Sequence, residues 1–151
     1  MLLARRLAGI IVSLAIGGAA TWYVLVVRPF HGVGDADNVQ IAQTEFASNK
    51  HVAMLVERSD KAALSGNDFF VFITDHLYSV PELRKNLYAL DPVFHVGRNG
   101  LALQWIDPEN LKILCEDCGI TKDQITTQKF SDSGVTIHYV GFPGVSEAAK
   151  P

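Results

Sequence analysis

Two cysteines are all that the 151 residues contain, and they stand close together at Cys115 and Cys118. That is too few for a disulfide-rich scaffold. With no second cysteine pair and no spaced histidine pair, it also leaves zinc without its usual four or so ligands. The residue after Cys118 is Gly119, not the histidine that covalent haem attachment requires. No metal and no cofactor is therefore expected. Positive charge is not in excess either: 13 Lys and Arg face 16 Asp and Glu, for a net charge of -3. A nucleic-acid partner needs a basic face to neutralise phosphates, so that class is excluded. Catalytic signatures are missing as well. The chain holds no Gly-x-Ser-x-Gly elbow, no His-Glu-x-x-His and no phosphate-binding glycine loop. Its carboxylates are scattered, and His31, His51, His76, His95 and His138 are isolated from one another. These histidines read as surface or half-buried residues, and nothing in the sequence calls for an enzyme.

What is present divides at about residue 28. Before Pro29 stand three arginines and no acid; the other ten basic residues and all sixteen acids follow it, which leaves that portion at -6. From Leu7 to Val27 run 21 residues without a charge, LAGIIVSLAIGGAATWYVLVV. A helix rises 1.5 Å per residue, so this run spans about 31 Å, close to the roughly 30 Å of a hydrocarbon core. Arg5 and Arg6 flank its start, and Arg28 and Pro29 close it. Trp22 and Tyr23 lie near the depth where amphipathic rings favour the interface. The segment 1–28 is thus expected to be a cytoplasmic stub and transmembrane signal anchor. The positive-inside rule puts the N-terminus in the cytoplasm and the rest of the chain outside the inner membrane, in the periplasm or beyond. The competing reading is a cleaved signal at Gly18-Ala19-Ala20, which would leave TWYVLVV exposed at a new terminus.

Within the run, Gly9, Ser13, Gly17 and Thr21 recur every four residues. On a helix they share one stripe of small side chains, the device by which membrane helices approach closely. Small residues are common in membrane spans, so the stripe is either ordinary composition or the docking face for a lateral partner. That partner would be a second copy or a larger membrane complex.

After a Gly- and Asp-rich tether at 29–38, residues 39–145 predict a small mainly-β (α+β) domain, an antiparallel meander with one short helix, ending in a flexible tail at 146–151. Val52–Glu57 and Phe69–Thr74 are apolar enough to be buried strands. Ser79, Pro81 and Glu82 open a helix over Pro81–Leu90, striped by Leu83, Leu87 and Leu90. Asn99-Gly100 predicts a tight hairpin between Val93–Arg98 and Leu101–Ile106. Asp107-Pro108 then turns the chain into Leu111–Cys115, and Ser131–Gly134 joins Ile125–Phe130 to Val135–Val140. Along the last strands Leu101, Leu103 and Trp105 share a face, as do Leu111, Ile113 and Cys115, and Val135, Ile137 and Tyr139.

The order Trp105, Asp107, Leu111, Ile113, then Gly134-Val135-Thr136-Ile137-His138-Tyr139, resembles the end of a loose group of small bacterial proteins. In that group a membrane anchor precedes one β-rich domain of unknown function. The resemblance covers roughly residues 50–140; it implies the fold and brings no activity with it.

Three readings of function follow. The first is a single-span accessory or assembly protein, its helix packed on membrane partners and its acidic exported domain touching proteins. The second is a membrane-tethered module that binds a small ligand, a cation or an envelope polymer. The third is a thiol-redox or metal protein built on Cys115 and Cys118. Against the third, Glu116 and Asp117 would oppose a thiolate, whereas an oxidising compartment favours a local disulfide. Unpaired core cysteines are the other structural reading.

Overall fold

Two apolar runs set the architecture, because Val52–Val56 and Phe69–Ile73 have no polar face to turn towards water. A computed structural model describes residues 17–18, 21–22, 33, 37–48, 51–60, 66–97, 100–115 and 118–142 of the chain. In it the two runs lie side by side as β2 (His51–Asp60) and β3 (Asp68–Thr74). They sit inside a five-stranded sheet of order β1-β2-β3-β4-β7, where β1 is Asp37–Ala47, β4 is Phe94–Val96 and β7 is Ile125–Gln128. A second sheet has the order β5-β6-β9-β8, with β5 at Leu101–Asp107, β6 at Asn110–Cys115, β8 at Ser131–Asp132 and β9 at Val135–Val140.

Each face of the first sheet has its own cover. Ala53, Leu55, Phe69, Val71 and Ile73 pack with Leu103, Leu111, Ile113, Ile137 and Tyr139 of the second sheet in the larger core. Val52, Met54, Val56, Phe70 and Phe72 face the other way and are roofed by Leu83 and Leu87. Leu83 belongs to the helix α1 (Val80–Asn86), and Leu87 is its C-cap. The expected stripe and cap are therefore in place: Ser79 Oγ accepts from Glu82 N at 3.4 Å, and Glu82 Oε2 accepts from Ser79 N at 2.8 Å. The helix stops at Asn86 and a turn continues it, so it is shorter than Pro81–Leu90.

A small mainly-β domain with one short helix is what the chain forms, and β1 to β4 are an antiparallel meander. The second half departs from the expected one. Asn99-Gly100 does not close a hairpin, since β4 pairs with β3 and β7 while β5 pairs with β6 in the other sheet. Gly100 keeps its positive φ of 101°, but the connection it serves carries the chain from one sheet to the other. β6 and β9 then pair in parallel, which no meander permits. β1 is the other surprise. It is the longest strand, begins inside the expected tether at Asp37, and hides its alternation behind a bulge between Ile41 and Gln43. The preceding stretch is also tied down at Val33, whose N–H donates to Arg84 O at 2.9 Å.

The bulge has a purpose in the packing. Val39 and Ile41 face the helix layer, whereas past the bulge Gln43 reaches the second sheet. Its amide donates to Leu103 O and accepts from Leu103 N, both at 2.8 Å, so one side chain occupies both backbone groups of an edge-strand residue. Trp105 Nε1 donates to Glu45 O two residues along. On the opposite side Tyr139 OH donates to Lys129 O, tying β9 to the chain leaving β7. Burial pushes the Tyr139 phenol well above its ordinary pKa, so it donates at any pH a folded protein meets.

Gly141 follows β9 with φ +82°, and a Cβ there would fall 2.4 Å from Cys115 O. Gly141→Ala should lower the unfolding free energy by at least about 2 kcal/mol, combining left-handed strain with a backbone collision. Denaturant titration of the two proteins checks it.

Candidate functional site

The largest group of interacting charged side chains among the described residues lies where α1 ends over the first sheet. Antiparallel register sets Arg58 of β2 opposite Asp68 of β3, and Phe70 opposite His95 of β4. Strand alternation sends Arg58, Phe70 and His95 to the helix side. Arg58 Nη1 donates to Asp68 Oδ2 at 2.6 Å and its Nε to Asp37 Oδ2 at 3.1 Å, so the guanidinium is shared by two carboxylates. His95 Nε2 lies 3.4 Å from Asp68 Oδ1, and its ring stacks on Phe70 at 4.2 Å between centroids. Tyr88 meets Phe70 edge-on and stands over Arg58, 5.9 Å from ring centroid to guanidinium carbon. Arg84 of α1 completes the group by donating to Asp37 O at 2.7 Å.

The electrostatics follow from these contacts. The hydrogen bond with His95, with the Arg58 guanidinium beside it, outweighs burial and holds the Asp68 carboxyl below the ordinary carboxylate range. Burial alone would lower the Arg58 pKa. The hydrogen bonds to Asp37 and Asp68 reverse that, and the guanidinium stays charged. Burial also raises the Tyr88 phenol. Two carboxylates, the Arg58 guanidinium and an imidazole thus satisfy one another over an aromatic floor, with Arg84 held on the Asp37 backbone carbonyl. The arrangement locks the end of the helix–sheet layer, and its chemistry is that of a charge clamp sensitive to acid. Sequence reading passed over it, although alternation counted outward from Val52–Val56 would have put Arg58 on the helix face.

The residues singled out from sequence lie apart from this clamp. Gly9 and Ser13 are outside the described residues. Gly17 and Thr21 are helical, and Thr21 Oγ1 donates to Gly17 O at 2.8 Å. Most of the expected anchor is likewise outside the described residues, and among those described no helix is long and apolar enough to cross a membrane. Cys115 and Cys118 are joined by a disulfide, with Cα atoms 5.4 Å apart, and both are buried in the larger core beside Ile120. The disulfide ties the end of β6 to Cys118, which Gly119 follows at φ 56°. His51, His76, His95 and His138 remain separate from the cysteines. His76 pairs with Asp75 at 2.6 Å on the surface, and His138 Nε2 lies 3.0 Å from Asn110 Oδ1. Among the described residues no group of three or more His, Cys, Asp or Glu side chains could hold a metal ion.

No protein-family model matches the chain, and neither a curated protein nor a solved structure matches it.

Two outcomes are expected here. Because the folded pKa of Asp68 is below the unfolded value of about 4, its charge adds stability that is complete above that value. That stability is lost as pH falls through the lowered folded value. Asp68→Asn should therefore cost about 1–2 kcal/mol at neutral pH and flatten the loss of stability below pH about 4. Urea titrations across that range would reveal either curve. Replacing Cys115 and Cys118 together by alanine should cost about 2 kcal/mol, as expected for so short a closed loop. Thermal unfolding with and without reductant compares the two proteins.

Proposed function

We propose that this chain is a single-span accessory or assembly protein of the inner membrane. Its N-terminus is cytoplasmic, its helix packs against a membrane partner, and its acidic β-domain stands outside the membrane to contact proteins. The observation that carries the reading is the 21-residue uncharged run Leu7–Val27 with arginines at its cytoplasmic end. Three features support it. A threonine that folds its hydroxyl back onto the carbonyl four residues earlier, as Thr21 does on Gly17, needs no other partner in hydrocarbon. Gly17 and Gly18 carry no side chain, which in a membrane helix would let a neighbouring helix come close. A disulfide in the domain suits an oxidising compartment outside the cytoplasm.

In this reading the domain is not a catalyst. Its charged groups are spent on holding the fold, and the anchor has a role of its own. Mild-detergent extraction of native membranes, native electrophoresis and mass spectrometry of the band test it. The wild-type chain is expected in a defined assembly. Gly17→Leu, which fills the close-approach face, should cut co-purification about tenfold. Unchanged co-purification, or a wild-type chain that migrates alone, overturns the proposal.

A further inference from the structure

The strands give the domain two distinct poles. β1, β3 and β5 all run the same way, since β1 and β3 both pair antiparallel to β2, and Gln43 and Glu45 of β1 meet Leu103 and Trp105 of β5 in step. The chain enters at Asp37, and Gly141 leaves β9 beside Cys115, so entry, exit and disulfide share one pole. The ends of β1, β3 and β5 share the other. There Phe46, Val52 and Thr74 form one cross-strand row. Phe46 is 64% exposed, Leu77 just beyond Thr74 is 49% exposed, and Ile106, next to Trp105, is 53% exposed. Val80, opening α1, adds a fourth exposed apolar residue. Single exposed hydrophobics are ordinary, but this gathering at one pole is not.

The rim has a sign. Asp75, Glu82, Asp107 and Glu109 are exposed around these side chains. Asp107 accepts from Glu109 N and Asn110 Nδ2, and Asp75 from His76, which keep both carboxyls ionised. β7 runs the same way as β3 and so ends at this pole too, where Lys129 is held by Asp91 at 2.6 Å and by Asp132 at 3.4 Å, which leaves acids in excess among the described residues there. Lys50 lies outside the described residues. An acidic rim repels a second copy of itself and attracts the opposite charge.

We propose that this pole is a protein-docking surface for a partner that presents an apolar contact rimmed by lysine or arginine. The proposal rests on the tethered accessory reading above and names the surface and chemistry of its contact. Phe46 and Ile106 would be the anchors and the carboxylates the steering rim.

The test uses the full chain in native membranes, extracted and separated as above. Phe46→Ser with Ile106→Ser should lower the assembled fraction about tenfold or more. Val140→Ser, an exposed apolar position at the other pole, should leave it unchanged. Asp75→Lys with Glu109→Lys, which spares every apolar contact, should lower it as well. Raising salt to about 0.5 M should weaken the wild-type assembly, because exposed charges are then screened. Matching thermal unfolding of all variants excludes misfolding as the cause. An assembly indifferent to the Phe46/Ile106 and Asp75/Glu109 variants overturns the docking surface and leaves the tethered reading standing. Equal loss with Val140→Ser, or a salt-insensitive assembly, also overturns it. A wild-type chain that migrates alone overturns both.

Discussion

A strand that is apolar on both faces has to be covered twice, and the rest of this domain follows from that constraint. β2 and β3 are such strands, buried along five consecutive residues each. The second sheet supplies one cover and α1 the other, which turns a simple meander into three layers. Each fully buried side chain of this size contributes about 1.5–3 kcal/mol by leaving water, so the two covers dominate the favourable side of folding.

Covers need fastening at their edges, where sheets expose unpaired backbone. Here the fastening is done by side chains. The Gln43 amide takes both backbone groups of Leu103, and Trp105 returns a bond to Glu45. Tyr139 closes the other side. The Asp37–Arg58–Asp68–His95 clamp fastens the open end beneath α1. Partly buried charges of this kind contribute little net energy, yet each loses much if its partner is removed, so they fix one arrangement more than they deepen it.

Much of the local structure could be read from the sequence, because its signals are local. Ser79-Val80-Pro81-Glu82 marks a helix start whatever surrounds it, and Leu101–Trp105, Leu111–Cys115 and Val135–Tyr139 alternate visibly. β1 was hidden because the bulge after Ile41 breaks the period of two and because its polar Gln43 and Glu45 work against the other sheet. Asn99-Gly100 misled for a different reason: a positive φ is a local demand, but which strands it joins is decided by burial far away. The charge clamp and the exposed apolar residues of one pole were invisible for the same cause, since register brings Arg58 to Asp68 and strand direction puts Phe46 and Ile106 at the same end of β1 and β5.

The parallel pairing of β6 with β9 has a bearing on time as well as shape. Between them the chain departs to lay β7 on the first sheet and then returns, so the central pair of the second sheet joins segments separated by some twenty residues. Non-local pairing of this sort is slow, since loop entropy is spent before any contact rewards it. A chain made from its N-terminus has β1, β2 and β3 in hand long before Val135–Val140 emerges. Until that last strand arrives, Phe69, Val71 and Ile73 lack the complete sheet that covers them. The vulnerable interval in the life of this domain is therefore its synthesis, and its length is set by the final strand.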